Sequence, residues 1–155
     1  MTSIPVLHLL LELSIKNVHA IIWKIDEQKE KRFLLTKERE GYFTVPGGCK
    51  DIEDADLFST LHREMQEELG LTPSDYSVKK IDFQKEYENL YNNPQSIRFG
   101  KITVVSLFEI HDLKKEPLPS HEVKDVVWVN KKEVLQKLNS QHMKELFQVA
   151  LKAIG

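Results

Sequence analysis

From Ala55 to Leu69 the chain carries a pattern that leaves few folds open to it. On a wheel of 100° per residue, Leu57, Phe58, Leu61, Met65 and Leu69 gather on one side. A helix with such a stripe must lay it against another apolar surface, because packing rather than propensity supplies most of its stability. Asp54 is placed to cap the first turn, and Asp56 suits the positive end of the helix. Gly70 suits the left-handed position just past its C-terminus. The flank beside the apolar stripe holds Glu64, Glu67 and Glu68 at i, i+3 and i+4. Like charges at that spacing repel by about 0.2–0.5 kcal/mol per pair. Three glutamates on a helix commonly form a solvated face. The alternative is that something strongly positive sits there, at the edge of a cleft.

The surface that receives the helix is predicted from the segments around it. "VHAIIWKID" (Val18–Asp26) and "RFLLTKE" (Arg32–Glu38) read as strands joined by a polar turn. "GYFTVPGGCKD" (Gly41–Asp51) reads as a short strand running into a Pro-Gly-Gly break. After the helix, "YSVKKIDFQKEYE", "SIRFGKITVVSLFEI" and "EVKDVVWVN" read as strands, and Lys131–Ile154 as two short helices. Interleaved strands and helices predict an α/β fold, a sandwich built on a mixed β-sheet. With no internal repeat, low-complexity tract or Gly/Ser-rich linker, residues 1–155 read as a single domain.

The N-terminal run "IPVLHLLLELSI" is interrupted by His8 and Glu12 and falls short of the ~20 apolar residues that span a bilayer. It is read as an element of the folded domain, with no membrane contact. A net charge of -2 argues against a nucleic-acid partner, which calls for a strongly basic surface. One cysteine, Cys49, cannot form an internal disulfide, so a cytoplasmic location is expected.

"PGGCKD…HREMQEELGL" resembles the Nudix box: a glycine, a glutamate further on, then Arg-Glu-(apolar)-x-Glu-Glu-x-Gly-(apolar). Arg63, Glu64, Met65, Glu67, Glu68, Gly70 and Leu71 match every specified position of the second half. The first half departs from the pattern. Counting back from Arg63, the early glutamate falls on Ala55, and the spacing from Gly48 to Arg63 is one residue too long. A one-residue insertion in the loop would return Asp54 or Glu53 to that role.

The resemblance implies a Nudix-type α/β/α sandwich over nearly the whole chain. It also implies hydrolysis of a pyrophosphate bond in a nucleoside diphosphate linked to a second group, X, dependent on Mg²⁺ with Mn²⁺ as a substitute. Such chemistry wants oxygen ligands, since Mg²⁺ prefers them and keeps several waters. By resemblance, Glu67 and Glu68 are expected metal ligands, and Glu64 a further ligand or the water-activating base. Arg63 is expected to orient a carboxylate. Gly47 and Gly48 would let the backbone approach the helix, with the Gly48 carbonyl as a candidate ligand. Glu122 matches the base that some members take from a late loop, with His121 ranked below it.

Arg98 and Lys101, close together on a predicted strand, are candidates for phosphate contact, although strand surfaces often carry basic residues. Tyr87 stands where diadenosine polyphosphate hydrolases tend to carry a tyrosine, which makes diadenosine tetraphosphate a candidate substrate beside nucleoside triphosphates. A tyrosine in an aromatic-rich strand is also often plain core. The expected partner is thus a nucleotide-type small molecule, and homodimers are common in the family. The competing reading is a Nudix-like domain that binds a nucleotide as a sensor without catalysis.

Overall fold

The computed structural model describes residues 14–88, 90 and 93–154. The N-terminal apolar run up to residue 13 lies outside them. Strand β1 (Ile15–Ile25) is the axis of the structure. Its residues 17–22 are all buried, as expected of a strand covered on both faces. Beside it runs β6 (Thr103–His111), parallel from Ile15↔Thr103 to Ile22↔Ile110. Beyond β6 lies β5 (Ser77–Tyr87), antiparallel, with a register shift between Lys80 and Gln84.

The other edge of β1 is shared. Its start pairs with β4 (Gly47–Cys49) and its end with β2 (Lys31–Lys37), both antiparallel. β2 in turn pairs with β3 (Phe43–Thr44) and β7 (Asp125–Val129). The Pro-Gly-Gly segment is therefore more than a break: Pro46 accepts a hydrogen bond from the Ala20 amide (2.8 Å), and its two glycines continue as β4.

Alternation along β1 splits the core into two layers. Val18, Ala20 and Ile22 face helix α1 (Leu57–Leu69), meeting Leu61, Met65 and Leu69. Ile21 faces the other way, toward α2 (Lys131–Lys137) and α3 (Gln141–Ile154), where Val134, Leu146 and Phe147 close the core. The result is the predicted α/β/α sandwich on a mixed sheet.

Two details of α1 differ from expectation. The cap is Asp56, which accepts from the Ser59 amide (2.8 Å), and the helix begins at Leu57. Asp54 is engaged elsewhere, by Arg63. Phe58 sits on the rim rather than in the core; it is exposed, with its ring edge-on to Phe108 at 5.0 Å. The other end is as predicted. Gly70 is left-handed (φ 67), with the Gly70 amide donating to Gln66 and the Leu71 amide to Met65.

Arg98 and Lys101 do not lie on a strand. β6 starts only at Thr103, and a chain of turns precedes it: Ser96 to Asn93, Phe99 to Ser96, Lys101 to Arg98, with Gly100 at φ 74. A left-handed glycine interrupts the extended backbone that the apolar pattern had suggested.

Candidate metal and active site

The acidic flank of α1 meets β4, and the two are fitted to each other. A Cβ at Gly48 would collide with the Glu64 carboxylate, so only glycine leaves that carboxylate room. The Gly47 amide donates to Glu68 Oε1 at 3.0 Å. Gly47 itself approaches β1 rather than the helix: a Cβ there would strike the Val18 carbonyl and His19. Both glycines thus bring backbone against side chains of α1, Gly47 through its amide, but the space a side chain would fill lies toward α1 only at Gly48.

Arg63 ties the site together. Its Nη1 donates to Glu64 Oε1 (3.1 Å) and Glu67 Oε2 (3.2 Å). Its Nη2 donates to the Cys49 carbonyl (2.9 Å) and Asp54 Oδ2 (2.9 Å), while Nε reaches Asp54 Oδ1 (3.1 Å). This paired grip on a carboxylate is the strong form of the interaction. The hydrogen bond holds the Asp54 carboxyl well below the usual range, and the same contact raises the Arg63 guanidinium. Of the two acids that an inserted residue could restore, Asp54 is thus the one that meets the arginine.

A further carboxylate arrives from a distant loop. The Leu118 amide donates to the Leu69 carbonyl and the Ser120 amide to the Glu68 carbonyl, both at 3.1 Å, which fastens this loop to the end of α1. Those carbonyls belong to the last turn, where no intrahelical donor remains. Ser120 Oγ then accepts from the Glu122 amide (3.2 Å), and Arg39 donates to the His121 carbonyl. In consequence Glu64, Glu67 and Glu122 each offer an oxygen within 4.8 Å of the others. The donor set is all oxygen, the kind a hard divalent cation prefers.

Burial makes two charges of the α1 flank, Glu64 and Glu68, costly without a cation. It pushes Glu64 up to about 7, with Glu67 and Glu122 adding to the effect and Arg63 opposing it. Glu68, only 6% exposed, is pushed up to about 9 by burial and then by Glu64, against the Gly47 amide. Glu38 joins the same field, raised by burial and by Glu40 and Glu122. Nothing in its local sequence distinguishes Glu38 from other strand-end acids.

The remaining expected residues stand apart. Tyr87 lies on the opposite face of the sheet, packed against the core under α3, its ring edge-on to His142 at 4.3 Å. Arg98 and Lys101 line a cavity together with Lys16 and Lys50.

Among the described residues no helix is long and apolar enough to cross a membrane. A comparison with curated protein sequences finds no match. Solved structures do share the fold. The NUDIX domain of Shewanella oneidensis NrtR, in complex with ADP ribose, is 19% identical with a TM-score of 0.71, and 100% of each chain is covered. A C. elegans Ap4A hydrolase is 17% identical with a TM-score of 0.67, covering 89% of this chain and 96% of its own. The E. coli dihydroneopterin triphosphate pyrophosphohydrolase is 13% identical with a TM-score of 0.68, covering 90% of this chain and 94% of its own. The family model of the NUDIX domain matches residues 16–149, and with Arg63, the glutamate flank and Gly48 arranged as described, the chain belongs to the NUDIX domain family.

Proposed function

We propose that this protein hydrolyses a pyrophosphate bond in a nucleoside diphosphate linked to a second group, with Mg²⁺ as cofactor and Mn²⁺ as a substitute. The observation that carries this reading is the meeting of Glu64, Glu67 and Glu122, from a helix and a separate loop, within 4.8 Å. Glu64, Glu67 and Glu68, with the Gly48 carbonyl, are the groups assigned to hold the ion. When bound, such an ion neutralises phosphate oxygens and lowers the pKa of a coordinated water.

The chain's own residues supply the rest. Arg63 fixes the Glu64 and Glu67 carboxylates in direction, so they need little reorganisation on loading. Glu122 is exposed on its loop and can accept a proton from an incoming water; Glu64 is the second candidate for that role. Arg98 and Lys101 are assigned to phosphate; Tyr87, packed beneath α3 on the opposite face of the sheet, is kept only as a candidate for the adenine at the far end of a dinucleotide.

Substrates with several phosphates are favoured, diadenosine tetraphosphate and nucleoside triphosphates first. The solved neighbours named for Ap4A and for dihydroneopterin triphosphate support that choice. The NrtR domain, solved with ADP ribose, keeps a second reading in play, a domain that binds a nucleotide without turning it over. Phosphate release from a nucleotide panel with and without Mg²⁺ separates the two. Hydrolysis of at least one panel member only with metal is expected; tight binding of ADP ribose with no turnover of any member would establish the sensor reading instead.

A further inference from the structure

We propose that a basic cavity beside the acidic site holds the outer phosphates of the substrate, and so selects chains of three or more phosphates over compounds joined through two. The proposal deepens the hydrolase reading and rests on it for the substrate's identity, but not for the cavity's affinity for phosphate.

The cavity measures about 530 Å³, within the range of small-molecule sites. Lys16, Lys50, Arg98 and Lys101 line it, and among the described residues of the lining the one carboxylate is Asp51. Asp51 is itself within 3.5 Å of Arg63 Nη2, so part of its charge is already matched. The four cations come from three separate pieces of chain: the start of β1, the loop after β4, and the turns before β6. Local sequence does not force them together. Like charges gathered in a concave site repel, at about 1 kcal/mol per close pair even in water. A polyanion removes that repulsion and gains charge-assisted hydrogen bonds.

Its position relative to the chemistry is set by one guanidinium. Arg63 holds Glu64 and Glu67 through Nη1, and through Nη2 it holds the carbonyl of Cys49, which is part of the cavity wall. Gly48, against Glu64, and Lys50, in the cavity, are two residues apart along extended chain, roughly 7 Å. A phosphate chain cleaved at the acidic cluster can therefore continue into the basic cavity. Lys16 and Lys50 also border a second cavity at the first turn of α1, but there the free helix amide already has a partner in Asp56. The anion is drawn to the first cavity.

Inorganic tripolyphosphate is the direct probe, titrated by calorimetry into the full-length, metal-free protein. Replacing Lys16, Arg98 and Lys101 together by alanine should weaken its binding about tenfold or more, the scale of losing charged hydrogen bonds. The charge-keeping Lys101→Arg variant should stay within about threefold of the parent. In steady-state assays the triple variant should lose about tenfold more kcat/KM on diadenosine tetraphosphate than on ADP ribose, mainly through KM. Unchanged tripolyphosphate binding in a folded triple variant would overturn the proposal, as would equal losses on both substrates. If the parent binds tripolyphosphate, the triple variant does not, and no nucleotide is hydrolysed, the cavity assignment stands and the hydrolase reading falls.

Discussion

Gly47 and Gly48 are neighbours in one short strand, yet a side chain added to each would meet different parts of the molecule. At Gly48 it would meet the end of a glutamate side chain on α1; at Gly47, the Val18 carbonyl and the backbone of His19. One face of β4 therefore borders the candidate chemistry and the other borders the sheet. Two identical residues in sequence carry separable duties, since a carboxylate can be displaced while a paired strand cannot. Reading a glycine pair as one motif hides this division.

The largest effect expected on the catalytic side is loss of all hydrolysis in excess chelator, recovered by adding Mg²⁺ or Mn²⁺; full activity in chelator would remove the metal from the account. Next, Glu67→Gln or Glu68→Gln should lower kcat by roughly a hundredfold while the protein stays folded, as when one strong electrostatic contribution is removed. Parent-like turnover in a folded variant would mean that the ligands are misassigned.

The comparison itself is sharpest with alanine at each glycine. Gly47→Ala should lower stability by about 3 kcal/mol, because backbone must move to admit the methyl group. Gly48→Ala should leave stability within about 1 kcal/mol, since its obstacle is the far end of a side chain, but should depress kcat by displacing Glu64. Denaturant unfolding and steady-state rates on the two variants give the answer, and an equal stability loss in both would erase the distinction.

The sheet-facing side also has a pH signature. Burial holds His19 near about 4, below the 6.5 of a free histidine, with the neighbouring His142 acting in the same direction. The neutral form is favoured by folding. Its contribution is therefore complete above about pH 6.5 and lost as pH falls through 4, amounting to about 3 kcal/mol at most. Stability of His19→Gln should fall less between pH 7 and pH 4 than that of the parent; parallel curves would count against it. The smallest effect is expected at Tyr87. Tyr87→Ala should raise KM for diadenosine tetraphosphate at least fivefold, about 1 kcal/mol, the low end of base stacking. A change in melting temperature with KM unmoved would assign this ring to the core beneath α3 alone.

What could be read beforehand was what short-range chemistry decides. The stripe of α1, its glycine stop and its glutamate flank depend on residues within a few turns of each other. The resemblance points to Glu122, which the structure brings beside Glu64 and Glu67. The apolar stripe that follows Asp54 points to a cap there, but Arg63, nine residues on, competes for it and Asp56 takes its place. The apolar or β-branched neighbours of Arg98 and Lys101 predict a strand, and the turn through Gly100 overrides that pattern. Neither the parallel pairing of β1 with β6 nor the meeting of Lys16 with Arg98 leaves any local trace, because both join segments more than eighty residues apart.

Arg63 has a further consequence for the life of the protein. It already counters the carboxylates that would otherwise push apart, donating to Glu64, Glu67 and Asp54 and to the Cys49 carbonyl. Small metal domains often cannot assemble until their ion is present. If the site takes magnesium as proposed, Arg63 would let assembly and loading be separate events, so that a newly made chain could mature before it meets the ion. On that proposal, ion supply would govern how fast the protein works, not how much of it survives.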